Sequence, residues 1–317
     1  SRARTMTTIA ALTPDDRLLE FSHVSQLVTH DAAMGCLIAA AESLRKASGI
    51  LPGPWDRCLG WIDRRLGELW KARGPCPGLA SALSAFGLEM GTFIASAVAE
   101  KAGENGDPWP LVDQVFADPR KHLPPHLAAT VGKTMCTKWG RLPAERRALL
   151  KLISRFEISR EQATCLYVQE ERKKAEIEIG DGDILANPYL LYELTRLTVD
   201  PISIWTVDRG VFPDDVVRRQ HPLPEPTALD SGTDARRVRA LAVKSLEDAA
   251  GNGSAVVPQE QVVLGIRGLA LQPPCEVDAD LMEVAKDDFA GAIVEVPMAN
   301  NCPALQLGRL AEMGQTI

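Results

Sequence analysis

Nowhere in the 317 residues does an apolar run approach the ~18 residues that a membrane span needs, so no membrane partner is expected. The opening residues, Ser1 to Met6, lack the apolar core of a secretory signal. No CxxC pair occurs among the seven cysteines (Cys36, Cys58, Cys76, Cys136, Cys165, Cys275 and Cys302), and their number is odd. Scattered single cysteines in apolar contexts read as reduced, buried thiols of a cytoplasmic protein. Of the five histidines, His122 and His126 have the spacing of a metal pair, but Pro124 and Pro125 between them deny a shared helical face. The chain has no internal repeat, no low-complexity tract and no complete catalytic motif. It therefore reads as a binding and scaffolding module rather than an enzyme in itself.

The nearest approach to a catalytic string is Val131-Gly132-Lys133-Thr134. A phosphate-binding loop needs GxxxxGK[ST], so that glycines let backbone N–H groups wrap the phosphates, and the first glycine position here is Leu127. Such a loop also follows a buried strand, whereas the proline-rich His122 to His126 precedes this one. No nucleotide or other cofactor is expected in this chain.

A net charge of -7 argues against indiscriminate coating of nucleic acid. The charge is uneven, however. From Lys133 to Lys174 eleven basic residues face five glutamates, whereas from Ser245 onward only Arg267, Lys286 and Arg309 oppose a long list of acids. Any nucleic-acid contact should then be local to the middle of the chain.

Apolar periodicity predicts a mainly α fold. Helices are expected over Val24–Lys46, Trp55–Lys71 and Leu79–Lys101, the last broken near Gly87 or Gly91, and together they make a helical N-terminal domain over 1–132. A basic, helix-hairpin-helix-like helical region over 133–219 follows. In it Pro143 opens one helix and Ser159 caps the next, which runs to about Lys174, with Gln162 closing a capping box. Gly180 to Asp183 ends that run, and Asn187-Pro188 opens a helix through Leu197. Pro222, Pro224, Pro226 and Ser231-Gly232 mark residues 220–233 as a linker. After it come a helix over 234–250, a strand over 254–257, helices over 258–269 and 278–288, and strands over 292–296 and 304–307 flanking a turn at Asn300-Asn301. That order, over 234–307, is that of a small winged-helix-like α+β unit.

Three candidate contact sites stand out, each with a structural alternative. Cys76-Pro77-Gly78-Leu79, opening an Ala/Leu helix, has the form in which helix-hairpin-helix units offer backbone N–H groups to a DNA phosphate, with Arg73 supplying charge. An ordinary helix–helix turn is the reading the sequence favours there. Arg146, Arg147, Lys151 and Arg155 have helical spacing and could form one solvent-facing positive stripe for DNA, the alternative being a solvated face. The third helix of the winged-helix-like unit carries Asp278, Asp280, Glu283, Asp287 and Asp288 against Lys286 alone, so phosphates would be repelled and packing is its expected role.

With these residues laid out, a resemblance emerges. Asn187-Pro188-Tyr189-Leu190-Leu191-Tyr192-Glu193, then Ile204-Trp205-Thr206-Val207-Asp208-Arg209-Gly210-Val211-Phe212, resemble the stretch that follows the helix-hairpin-helix region of RecD-like, superfamily 1 bacterial DNA helicases. Asp234-Ala235-Arg236-Arg237-Val238-Arg239-Ala240-Leu241 through Val256-Val257-Pro258 is similar to that family's next block, although Gly253-Ser254-Ala255 replaces its more usual Gly-His-Thr. Leu307-Gly308-Arg309-Leu310-Ala311-Glu312 is similar to its linker into the first motor domain. The likeness covers roughly residues 149–317. It implies the N-terminal region of an ATP-dependent helicase, with 308–317 leading toward a motor domain absent from this chain, where ATP and Mg would bind. Single-stranded or forked DNA would be the ligand, with a possible protein partner for the N-terminal helices. The rival expectation is a protein-interaction adaptor with no nucleic-acid contact.

Overall fold

In the computed structural model, residues 28–289, 291–298 and 302–315 are described. The start of the first expected helix, residues 24–27, and the turn at Asn300-Asn301 lie outside them. The chain divides into two compact units, Ser1–Gly74 and Pro75–Ile317. The expected boundaries at 132/133 and 220–233 both fall inside the second unit.

The first unit contains two long helices, α1 (His30–Ser48) and α2 (Trp55–Arg73). Thr29 caps α1 in an extended conformation, its hydroxyl accepting from the Ala32 N–H at 3.2 Å. The two helices pack on each other, and Met34, Ile38, Ile62 and Trp70 supply the buried apolar contact.

The second unit begins with α3 (Leu79–Phe86) and α4 (Gly91–Ala102). The break between them falls at Gly87, whose φ of 115° only glycine adopts without strain. Next come α5 (Trp109–Ala117), α6 (Pro119–His122), α7 (Pro125–Ala128), α8 (Lys133–Gly140) and α9 (Ala144–Ile153). His122 and His126 thus sit on separate short helices. The stretch expected as one helix from Ser159 is two, α10 (Arg160–Tyr167) and α11 (Gln169–Lys174). The capping box is present, with the Gln162 N–H donating to Ser159 Oγ at 3.0 Å and the Ser159 N–H to Gln162 Oε1 at 2.9 Å. The break falls at Val168, where ψ is 116°, and buried Arg172 donates to the Leu166 carbonyl beside it.

Four short helices follow, α12 (Asp181–Ala186), α13 (Leu190–Thr195), α14 (Ile204–Val211) and α15 (Asp215–Gln220). The C-terminal elements are α16 (Ala235–Gly251), β1 (Val256–Pro258), α17 (Gln259–Arg267), α18 (Ala279–Ala285), β2 (Ile293–Pro297), β3 (Pro303–Leu307) and α19 (Gly308–Gln315). The strands form one antiparallel sheet, ordered β1-β3-β2, with Val257 opposite Leu305 and Ile293 opposite Leu307. Period-2 alternation turns these four residues inward, while Val256, Val294 and Gln306 face outward. The helix–strand–helix–helix–strand–strand order expected over 234–307 is the order observed. α16 is its centre, packing against α13, α14, α17, α18 and the sheet. Val238, Ala240, Leu241, Ala242 and Val243 are all fully buried there. Each large aliphatic side chain so buried stabilises the fold by about 1.5–3 kcal/mol.

Residues 220–233, expected as a free linker, are tied down. The Arg236 guanidinium donates to the carbonyls of Pro226 at 3.1 Å, Ala228 at 2.6 Å and Ala186 at 2.7 Å. Thr227 is buried, and Arg155 donates to the His221 carbonyl at 2.9 Å. The prolines remove N–H donors, but the carbonyls remain, and arginines take them. Cys275 is the buried thiol among the cysteines; Cys302 is exposed and the rest are intermediate, so the expectation of buried thiols holds for one position. Among the described residues, no helix is long and apolar enough to cross a membrane.

Candidate functional site

The expected basic stripe starts on α9. At about 100° per residue, Arg146 and Arg155 point about 180° apart, and α9 ends at Ile153, before Arg155. Each arginine is committed to the fold. Arg146 pairs with Asp181 at 2.8 Å, donates to the Tyr167 carbonyl and lies 3.7 Å from the centre of the Tyr167 ring. Arg147 donates to the Trp139 carbonyl at 2.9 Å, stacks on that indole at 4.8 Å and reaches Asp113 at 3.4 Å. Arg155 is buried and donates to the carbonyls of Gly210 at 3.0 Å and His221 at 2.9 Å. Lys151 is the exposed member of the four. The single solvent-facing stripe is thereby corrected: three of its four cations are internal cross-links.

Arg73 and Gly78 fall in different compact units, and each is engaged within its own. Arg73 is buried in the first unit, its Nε 2.7 Å from Asp31 and its guanidinium 5.5 Å from the Trp70 ring. Gly78 belongs to the second unit, where its N–H donates to the Ser154 carbonyl at 2.9 Å. A Cβ at Gly78 would lie 2.1 Å from the Phe156 carbonyl oxygen. The glycine permits this close approach of chain to chain. Ser81 Oγ, donating to the Ile158 carbonyl at 2.7 Å, fastens the same turn. The turn between α9 and α10, which lacks a glycine of its own, is served by one from the start of α3.

A cavity of about 330 Å³ lies beside Lys151 and Arg155, with Cys76, Trp109, Leu185 and residues 220–227 in its lining. Asp107 and Glu225 offset the two cations there, so the cavity is not an anion trap. Burial pushes the Cys76 thiol above its ordinary value, opposed by a hydrogen bond from Ser154 and by the Arg155 charge. The thiol stays protonated at neutral pH, so the cavity holds no activated sulfur nucleophile. Lys133 stands exposed at the start of α8, preceded by α7 rather than a strand, with Gly132 as N-cap. It has none of the strand-to-helix setting of a phosphate loop.

The chain's polar residues converge elsewhere. The Tyr189 hydroxyl donates to Asp208 at 2.7 Å, and the wholly buried Arg237 grips both oxygens of Asp208 at 2.8 and 2.9 Å. Arg237 also donates to the carbonyls of Gly232 and Pro273, each at 2.7 Å, and lies 4.5 Å from the Phe212 ring. Two residues along α16, Arg239 holds buried Glu193 at 2.8 Å. Glu247 accepts from Arg196 at 2.9 Å and from Arg309 at the start of α19. These residues come from all four stretches that carry the family resemblance.

The electrostatics follow from burial and pairing. Burial raises the Tyr189 hydroxyl well above its ordinary pKa, and the Asp208 charge adds to this. Burial opposes the charge on Arg237, but Asp208 more than offsets it, and the guanidinium sits above its usual value. Glu193 is raised by burial, only partly countered by Arg239 and Arg196. Glu247 is lowered, because Arg309 and Arg196 together outweigh its burial. The hydroxyl, carboxylates and guanidinium groups satisfy one another and so join the middle helices to α16 and α19.

In the sequence Tyr189, Glu193, Asp208, Arg237, Arg239 and Arg309 stand in separate stretches, and nothing local shows that they meet. Asp208 within the apolar run Ile204–Phe212 and Arg237 within the apolar face of α16 were the available signal, since a charge in a buried run requires a partner. The helix expected over 278–288 is α18 followed by a 3-10 turn at Lys286–Asp288, and Asp280 and Glu283 on α18, Asp278 at its cap and Asp287 and Asp288 beyond it are all exposed. Comparison with family models, with curated proteins and with solved structures finds no match to this chain.

Proposed function

We propose that this chain is the non-catalytic, DNA-engaging and scaffolding region of a RecD-like ATP-dependent DNA helicase acting in the cytoplasm. Its C-terminal unit is a winged helix used for packing. ATP and Mg belong to a motor domain absent from this chain. One observation carries the reading. The four stretches that resemble the helicase family are joined by the Tyr189–Asp208–Arg237, Glu193–Arg239 and Arg196–Glu247–Arg309 contacts. They form one polar spine that couples the middle helices to α16 and to α19. In this reading the spine holds the middle helices, α16 and α19 together while exposed cations engage DNA.

The DNA contact in this reading falls to exposed cations of the middle region, among them Lys133, Arg141 and Lys151, because the arginines of α9 are occupied. Such contacts release counterions and are independent of sequence. The test is a fluorescence-anisotropy titration of forked DNA at several salt concentrations. Changing all three residues to Ala should weaken binding about tenfold, at roughly 0.5 kcal/mol per exposed contact, and flatten the salt slope. A chain that binds no fork at any salt concentration, or a triple variant identical to the parent, refutes the reading. The alternative, a protein-interaction adaptor with no DNA contact, is favoured by the exposed apolar groove between α1 and α2.

A further inference from the structure

The cavity of about 330 Å³ beside Lys151 and Arg155 is walled by residues from five separate stretches of the second unit. Its size falls within the roughly 300–1,000 Å³ of small-molecule sites. The buried part of its lining, Pro75, Trp109, Leu152, Leu185 and Thr227, makes a mainly apolar floor. Asp107, Lys151 and Glu225 are exposed and stand at its mouth. An apolar floor below a few converging polar groups is the form of a site that orients a small ligand.

The walls are fixed in place rather than left to close on the space. The Trp109 indole donates to Ser154 Oγ at 3.1 Å, and the Trp109 backbone N–H donates to Asp107 at 3.0 Å. The wall formed by residues 220–227 is held at two points. At one, Arg155 donates to the His221 carbonyl at 2.9 Å and the His221 ring donates to the Asn105 carbonyl at 2.6 Å. At the other, Arg236 donates to the Pro226 carbonyl at 3.1 Å. A hollow formed in advance spends little free energy on ordering when a ligand enters.

The charges at the mouth select what fits. Among the described residues, neither the Lys151 ammonium nor the Glu225 carboxylate makes a hydrogen bond or an ion pair. Lys151 Nζ stands 5.9 Å from the centre of the Trp109 ring. Arg236 acts on Glu225 through space, its guanidinium being bound to Asp234 at 2.8 Å. Around the cavity Lys151 and Arg155 balance Asp107 and Glu225. A simple anion or a simple cation meets repulsion as well as attraction there, whereas a molecule carrying both charges meets a partner for each.

We propose that this cavity binds a small zwitterion with an apolar body, the chemical class of the free hydrophobic amino acids. The ligand's carboxylate pairs with Lys151 and its ammonium with Glu225, while its side chain lies against Trp109, Leu152 and Leu185. The site does not depend on whether the chain engages DNA.

The test is ligand-observed saturation-transfer NMR on the full chain with L-phenylalanine, L-leucine and L-tryptophan as probes. At least one should bind saturably, with a dissociation constant on the order of 1 mM for so small a molecule. Hydrocinnamate, which lacks the ammonium, and phenethylamine, which lacks the carboxylate, should each bind about fivefold more weakly than L-phenylalanine, as expected for one exposed ion pair lost. Glu225→Gln should weaken L-phenylalanine by a similar factor and leave hydrocinnamate unchanged. Lys151→Gln should weaken L-phenylalanine and leave phenethylamine unchanged. Both substitutions are at exposed positions, so the fold should survive them. Absence of saturable binding by all three amino acids overturns the site. Hydrocinnamate or phenethylamine binding as tightly as L-phenylalanine, or either variant binding L-phenylalanine as the parent does, overturns the assignment of a zwitterion to it.

Discussion

Replacing Arg237 by Met keeps most of the side-chain volume but strands the Asp208 carboxylate, which is 3% exposed, with the Tyr189 hydroxyl as its remaining strong donor. Leaving one partner of a buried ion pair unpaired costs about 3–5 kcal/mol. The carbonyls of Gly232 and Pro273 lose their donor in the same step, at about 1–3 kcal/mol for each group left unsatisfied. Asp208→Leu alone strands the guanidinium instead, with a similar penalty. In the double variant no unpaired charge remains, and the loss should fall well short of the sum of the singles. The coupling free energy should then be about 3 kcal/mol or more, at the upper end for residues in contact. Urea denaturation at pH 7, followed by circular dichroism and fluorescence together, measures all three variants against the parent. Total stabilities of about 5–15 kcal/mol leave room for singles of this size, and Asp208→Asn supplies a milder rung if a single fails to fold. Additivity within about 0.5 kcal/mol would mean that the pair is not coupled and that the spine does not join the two halves of the unit.

Three further outcomes are expected. Glu247 has its folded pKa held below the usual carboxylate value by Arg309 and Arg196, so the stability it confers is present above its unfolded pKa and is lost as pH falls through the folded value. Glu247→Gln should cost about 1–3 kcal/mol at neutral pH and flatten the acid limb of the stability–pH curve measured by urea titration, with an unchanged limb contradicting the pairing. Gly78→Ala should destabilise by about 1–3 kcal/mol through overpacking, because the new methyl would meet the Phe156 carbonyl; a thermal melt superimposable on the parent's would show that the turn yields freely. Arg236→Ala should release residues 220–232 and raise the rate of protease cleavage there, since one guanidinium holds the carbonyls of Pro226 and Ala228, and a parent chain already cut fastest in that stretch would show that these hydrogen bonds do not restrain it.

How far the sequence could be read depended on whether each signal was local. The sheet and its helices were legible because alternation, capping residues and periodicity each act within a few positions, as at Ser159 and Gln162. The charged residues misled because their partners are remote in sequence. Arg146 finds Asp181 thirty-five positions away, and Arg155 finds the carbonyls of Gly210 and His221. A row of cations reads as a surface, yet Arg can bury its planar group wherever carbonyls and aromatic rings are arranged to receive it. The prolines of 220–233 misled in the opposite sense, since they mark the absence of regular structure and not the absence of order. Both errors have one cause: a carbonyl left unpaired by proline or by a helix end must find a donor, and this chain supplies arginines from elsewhere. Arg155, Arg172, Arg236 and Arg237 all serve such carbonyls. The arginines that sequence alone assigns to DNA are largely the ones holding irregular backbone in place, and a search for a nucleic-acid surface on this fold has to begin with the cations that remain exposed.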